Sequence, residues 1–225
     1  MLLEGLPPGL LWLADALALV LVVDAARRAA WEAPLREHLL WALATAAILL
    51  ARQMTITLPD GLRLQYIGAA WLTLLLGYPR AVLSMTVITL AQAAHLGLPM
   101  GTQGFPLLLL GIAPAWLIWL ITRACRRWLP ANLFVFLLGA GFLGLFAAYA
   151  LPLLAAAALV TFALPDAAGA PGPALAADYW GLMLPYALLL ASGEAWLEGM
   201  LTTLLVVFAP GAVRLFDERH YLGRR

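Results

Sequence analysis

Long apolar runs separated by short polar connections dominate the chain. The predicted helices cover residues 9–26, 39–56, 65–78, 81–96, 105–122, 132–151 and 179–213. The apolar stretch from 132 to 164 is longer than the roughly 20 residues that a bilayer requires. Pro152 interrupts it, so a second helical piece that emerges or bends back is expected after residue 151. The pattern predicts an all-α bundle of about seven transmembrane helices.

The connections carry turn chemistry. Pro59-Asp60-Gly61 lies in a short segment at 57–64, and Pro79-Arg80 predicts a tight turn between the third and fourth helices. Residues 97–104, 123–130 and 166–178 are predicted loops. The third and fourth helices are short for a bilayer, and we expect them to be tilted, partly re-entrant or buried against other helices. Residues 1–225 are interpreted as a single integral membrane domain.

The arginines predict the orientation. The chain has 13 basic side chains, all of them Arg, and all except Arg52 and Arg63 fall in alternate connections. Short arginine-rich loops stay in the cytoplasm. The prediction is therefore an N-terminus outside and a cytoplasmic C-terminus.

The composition excludes several functional classes. The chain is 64% hydrophobic and only 11% charged, whereas a soluble domain has about 25% charged residues. The lipid bilayer is the expected environment, as a multi-pass protein of a bacterial inner membrane, and no nucleic-acid partner is expected. The absence of a nucleophile elbow, a Walker loop or a dinucleotide fingerprint argues against an enzyme. Energy for transport would come from a partner or a gradient.

Three carboxylates lie inside the apolar runs. A charge at bilayer depth costs at least about 2.5–3.5 kcal/mol, so Asp15, Glu194 and Glu198 each require an explanation. Asp15 has no partner nearby in sequence, whereas Glu194 and Glu198 are four residues apart and share one helix face. They are interpreted either as an ion or proton relay or partner contact, or as a structural network that includes Arg52.

A second set of polar residues falls at predicted outer ends. Imidazole, thioether and a terminal amine are ligands of late transition metals. The candidate metal-binding residues are Met1, Glu4, Gln65, His95, Met100 and Gln103. Their spacing is not that of a zinc site, and capping or packing is the alternative role for His95 and the methionines.

Short motifs containing glycine and proline recur along most of the chain. They are Glu4-Gly5 before Pro7-Pro8, Arg27-Arg28, Gly61, Gly68-Ala69, Leu74-Leu75-Leu76-Gly77, Val82 to Thr86, Gln92-Ala93, Gly101-Thr102-Gln103-Gly104, and Pro185 before Glu198-Gly199 and Leu201 to Leu204. These motifs, strongest between Gly61 and Met85, resemble the CbiM/NikM family. That family comprises the substrate-binding membrane subunits of energy-coupling-factor-type cobalt and nickel transporters.

The resemblance implies a seven-helix fold with the N-terminus folded into the outer side. It also implies a metal ion, carried as substrate and not as a permanent cofactor, and partners that are a coupling membrane protein and ATPase subunits. In the family, the amino terminus, a His after the initiator Met and a His on a glycine-rich helix hold the metal. Leu2 and Gln65 stand at those His positions here, and the family's outer Gly-Ala-Asn is replaced by Gly104-Phe105-Pro106.

Three functions follow as hypotheses. The first is transition-metal uptake through other donors at the outer face, with a different solute as a variant of it. The second is a non-transporting structural or assembly subunit, which the missing His pair and the nine tryptophans favour. The third is a channel or proton-linked carrier that uses Glu194 and Glu198.

Overall fold

Seven helices of eight residues or more make up most of the described structure, a computed structural model of residues 7–53, 56–57, 63–159, 161 and 176–223. These helices are α1 (Pro8–Arg28), α2 (Leu35–Ala51), α3 (Ala69–Leu76), α4 (Tyr78–His95), α5 (Gly104–Trp128), α6 (Val135–Ala158) and α7 (Ala176–Phe208). A five-residue helix, α8 (Glu218–Leu222), follows. Strands β1 (Ile56–Thr57) and β2 (Arg63–Leu64) form a two-residue antiparallel pair. The all-α prediction is confirmed.

Four helical segments of the described chain are long and apolar enough to cross a membrane: α1, α5, α6 and the Met183–Phe208 part of α7. The other three of the seven are shorter: α2 has 17 residues, α3 has eight and α4 has 18. A multi-pass membrane protein is thereby confirmed. A total of seven crossings remains a prediction.

The third predicted helix is wrong in its first four residues. Gln65 to Gly68 are not helical, and α3 begins only at Ala69 because Gly68 adopts a left-handed conformation with φ 72°. The turn after α3 lies at Gly77, with φ 81°, and not at Pro79-Arg80, which belong to the first turn of α4. Proline is compatible with a first helical turn, where its missing N–H is not needed.

Other boundaries also differ from the prediction, since α2 covers Leu35–Ala51 and not 39–56, and α7 covers Ala176–Phe208 and not 179–213. Helix α5 continues through the predicted loop to Trp128, so three arginines expected in a loop are helical. Helix α6 passes Pro152 without ending and continues to Ala158. Proline within a membrane helix is tolerated where neighbouring groups satisfy the freed carbonyl. The predicted turn at 59–61 and the loop at 166–175 lie outside the described residues.

Helix α3 is the centre of the bundle. All of its residues except Trp71 are buried. It packs chiefly against α4 and α5, while α7 packs along α6, and α1 packs against α4 and the start of α5. Large apolar side chains such as Trp12, Leu35, Leu43 and Phe208 face outward, as expected of helices surrounded by lipid.

Ion pairs gather at one end of the bundle. Glu37 Oε2 accepts from Arg80 Nη1 at 2.9 Å and from Arg214 Nη1 at 3.1 Å, which connects α2, α4 and the segment after α7. The backbone N–H of Arg214 also donates to Leu75 O at 3.2 Å. We call this end, which also carries the pairs Arg28–Asp24 and Arg126–Asp217, the arginine end.

Candidate functional site

The N-terminus of α3 lies inside the bundle and receives a carboxylate from α7. The N–H groups of Ile67 and Gly68 donate to Glu194 Oε1 and Oε2 at 2.8 and 3.2 Å. Glu194 is only 4% exposed. Because the first N–H groups of a helix have no intrahelical acceptor and carry partial positive charge, a carboxylate there is a favourable cap.

The second carboxylate of α7 acts on the same helix end through a tyrosine. Tyr66 and Tyr149 donate from their hydroxyls to Glu198 Oε1 and Oε2 at 2.7 and 2.6 Å. The Tyr149 hydroxyl in turn accepts from the N–H groups of Ala70 and Trp71 at 3.2 and 3.4 Å. Since its lone pairs face these N–H groups, the Tyr149 proton must point at Glu198. Glu198 and Tyr149 are fully buried.

A buried arginine lies beside these carboxylates. Arg52, at the end of α2, is 3% exposed. With the Gln65 amide oriented so that its oxygen faces Arg52, Gln65 Oε1 accepts from Arg52 Nε and Nη2 at 2.6 Å each. In this orientation the Gln65 amide lies 2.8 and 3.0 Å from the Gln92 amide, and Arg52 attracts Glu194 electrostatically. We call Arg52, Gln65, Tyr66, Gln92, Tyr149, Glu194 and Glu198 the polar network.

Asp15 caps the start of another helix in the same way. Its Oδ1 accepts from the N–H of Gly104, the first residue of α5, at 2.6 Å. A Cβ on Gly104 would lie 2.5 Å from the Asp15 Cα. Only glycine therefore allows α1 and the start of α5 to approach this closely.

Four of the six predicted metal donors lie within the described residues, and two of these four have other partners. Gln65 is engaged by Arg52 and Gln92, and Gln103 is buried with its Nε2 donating to Pro99 O at 2.9 Å. His95, at the end of α4, and Met100 are exposed. Met1 and Glu4 lie outside the described residues. Within the described ranges no group of three or more His, Cys, Asp or Glu side chains could hold a metal ion.

Sequence reasoning selected the carboxylates of the network and named Arg52 as a partner, but it missed Tyr149. A tyrosine inside an apolar run is chemically unremarkable, so its contact with Glu198, 49 residues away, gives no local signal. Gln92 carried a weak signal, as an amide within a predicted membrane helix.

The polar network has consequences for ligand chemistry. Its hydrogen-bond acceptors face N–H groups, hydroxyls or a guanidinium. The atoms that it could offer to a metal ion are oxygens and not imidazole nitrogens. A cation entering beside Glu194 would meet the positive charge of Arg52 at low local dielectric, where repulsion is strong. In the present arrangement the network is suited to holding α3 and not to holding a second cation.

Comparisons with known proteins agree with this fold. Two solved structures are similar: one described as a truncated transition metal transporter has a TM-score of 0.70 at 17% identity, covering 91% of this chain and 97% of that one. The other, described as a transition metal transporter, has a TM-score of 0.68 at 18% identity, covering 99% and 97%. At these identities the likeness concerns the fold. No curated protein sequence matches the chain.

A family model described as the cobalt uptake substrate-specific transmembrane region, CbiM, matches residues 4–212. This range spans all seven long helices and includes the polar network. The resemblance seen in the sequence motifs is thus confirmed, and with it a membrane subunit of transition-metal uptake. The chain belongs to the CbiM family.

Proposed function

We propose that this protein is the substrate-binding membrane subunit of an energy-coupling-factor-type transporter and binds a transition-metal cation at the outer face. In this proposal residues 1–225 form one membrane domain. The observation that carries it is the family match over residues 4–212. The arrangement of charges in the bundle supports the details.

The arginine end supports the orientation. Arg28, Arg80, Arg126 and Arg214 occupy one end of the bundle, and arginine-rich ends are retained in the cytoplasm. The opposite end, where α4 finishes at His95 and the connection to α5 begins, is then the outer face. Metal would reach the protein there.

The proposed ligands at this face are Met1, Glu4, His95 and Met100. Imidazole and thioether groups suit cobalt, nickel or copper ions better than magnesium or calcium, and both described members, His95 and Met100, are accessible. Gln65 and Gln103 join only if they leave their present partners, Arg52 and Pro99 O.

A coupling membrane protein and ATPase subunits complete the proposed transporter. The family resemblance implies them, and this chain has no Walker loop of its own.

One observation favours the alternative of a non-transporting structural or assembly subunit. The Arg52 guanidinium is bound by Gln65 and attracted by Glu194. The positive charge beside these two side chains is therefore supplied by the protein itself. In this alternative the fold is kept and metal binding is lost.

Calorimetric titration of the purified full chain with Ni²⁺, Co²⁺ and Cu²⁺ tests the proposal. We expect one of the three to bind, and His95→Ala to weaken that binding at least about tenfold, the loss of one good ligand interaction of about 1.4 kcal/mol. His220→Ala is the matched control, because His220 lies on α8, after the arginine end. Binding of none of the metals would refute the proposal. Co-purification with another membrane complex, and never with ATPases, would favour the alternative.

A further inference from the structure

The last turns of α5 carry a basic surface at the arginine end, away from the proposed metal ligands. Arg123, Arg126 and Arg127 are all exposed there. Their spacing of three and four residues places them on one helix face. They line a cavity of about 510 Å³ together with Trp119, Thr122 and Leu215. We call this cavity the α5 arginine pocket.

Positive charge in the α5 arginine pocket is only partly compensated. Arg126 Nη2 pairs with Asp217 at 3.1 Å, and Arg123 lies over the Trp119 ring, 5.5 Å from its centroid. Among the described residues, no carboxylate lies within 4.0 Å of Arg123 or Arg127. The C-terminus of α5 contributes only about half a negative charge. The pocket therefore retains two guanidiniums without an anionic partner.

An apolar stripe leads from the membrane interior to this pocket. Trp116 and Leu120 are exposed and precede Arg123 and Arg127 at helical spacing. Exposed Trp128 follows at the end of the helix, where tryptophan typically sits at headgroup level. The stripe fits an acyl chain, and the two arginines lie where the headgroup of that chain would be.

We propose that the α5 arginine pocket binds the phosphodiester headgroup of an anionic phospholipid. The guanidinium fork matches two phosphate oxygens at once. Trp119 and Leu215 enclose the headgroup, while the acyl chains lie along Trp116 and Leu120. The proposal does not depend on metal uptake.

Native mass spectrometry of the full chain in detergent, titrated with dioleoylphosphatidylglycerol or dioleoylphosphatidylcholine, tests it. The matched variants are Arg123→Gln/Arg127→Gln in the pocket and Arg27→Gln/Arg36→Gln elsewhere at the arginine end. Arg27 and Arg36 are likewise exposed and, in the described structure, have no carboxylate within 4.0 Å. Both variants remove two charges, so nonspecific attraction falls equally in each.

We expect the parent chain to prefer phosphatidylglycerol. Each direct guanidinium–phosphate contact contributes about fivefold in affinity, so the pocket variant should lose about 25-fold, with its melting temperature unchanged. The control removes two exposed arginines that make no such contact, and it should lose less than about fivefold. An equal loss in both variants would overturn the proposal. So would occupancy by inorganic phosphate alone at the same concentration, which would indicate a free-phosphate site. A pocket variant that keeps its lipid preference but no longer co-purifies with a coupling protein would indicate a protein-docking surface and would also refute it.

Discussion

Replacing Tyr149 by Phe removes one oxygen from the centre of the bundle and tests whether the polar network holds α3. The ring is fully buried and would stay in place. The hydroxyl donates to Glu198 at 2.6 Å and accepts from the N–H groups of Ala70 and Trp71. The substitution therefore leaves one acceptor and two backbone donors without a partner, in an interior that water does not reach.

The magnitude follows from these contacts. A hydrogen bond to a carboxylate contributes about 2 kcal/mol, and each orphaned donor costs about 1 kcal/mol, taken at the low end because the two N–H contacts are long. We expect Tyr149→Phe to lower the free energy of unfolding by about 4 kcal/mol. Tyr66→Phe removes only the donation to Glu198 Oε1 and should cost about 2 kcal/mol.

Unfolding in sodium dodecyl sulfate, followed by circular dichroism of the detergent-purified chain, measures both losses. Tyr221→Phe is the control. Tyr221 is buried, but its hydroxyl has no hydrogen-bond partner in the described part of the chain, so its loss should change stability by less than about 0.5 kcal/mol. A Tyr66 variant as unstable as the Tyr149 variant would refute the reasoning that Tyr149 connects Glu198 to α3.

Three further outcomes are expected in the same unfolding assay. Gly104→Ala should destabilise by about 1–3 kcal/mol, because its Cβ would lie 2.5 Å from the α1 backbone. Gly101→Ala, which meets nothing within 4 Å, should be neutral, and equal effects would contradict the close approach. Glu37→Gln should cost about 1–2 kcal/mol, because the Arg80 side chain is 4% exposed and loses its carboxylate. Asp24→Asn breaks an exposed helix pair and should cost at most about 1 kcal/mol. A larger loss of stability in Asp24→Asn than in Glu37→Gln would contradict the argument that the buried Arg80 makes the Glu37 pair the stronger one.

The sequence predicts the long helices well and the start of α3 poorly. Hydropathy is a local signal, and it places α1 and α4 to within a few residues. The run from Gln65 to Gly77 is as apolar as its neighbours, yet its first part is not helical. The N–H groups of this non-helical part need hydrogen-bond acceptors on α7, and Glu194 is 127 residues from Ile67. No local pattern carries that information.

The candidate site divides in the same way. Charged residues inside apolar runs stand out, so Asp15, Glu194 and Glu198 could be selected from sequence. Asp15 and Glu194 accept from backbone N–H groups, which every residue except proline possesses and no motif marks. Glu198 accepts from the hydroxyls of two tyrosines that are far from it in the sequence. Side-chain identity therefore located the carboxylates but not what they bind. The proposed donors His95 and Met100 stay predictions, since their chemistry is visible in sequence and their assembly depends on residues outside the described ones.

The carboxylates of Asp15, Glu194 and Glu198 already accept hydrogen bonds from the protein, and this makes them poor candidates for metal ligands. In lipid, a helix that starts inside the bundle has no water to accept from its first N–H groups, so the protein must supply acceptors. Helices α3 and α5 both start this way. Glu194 and Asp15 accept directly from N–H groups at these starts, and Glu198 acts on α3 through the Tyr149 hydroxyl. A metal ion or a proton relay that took the oxygens of Glu194 or Asp15 would leave N–H groups unpaired, and near Glu194 it would also have to displace Arg52. We therefore expect cargo to bind at the end of α4 and the connection that follows it, where donors can change partners without unfolding a helix start.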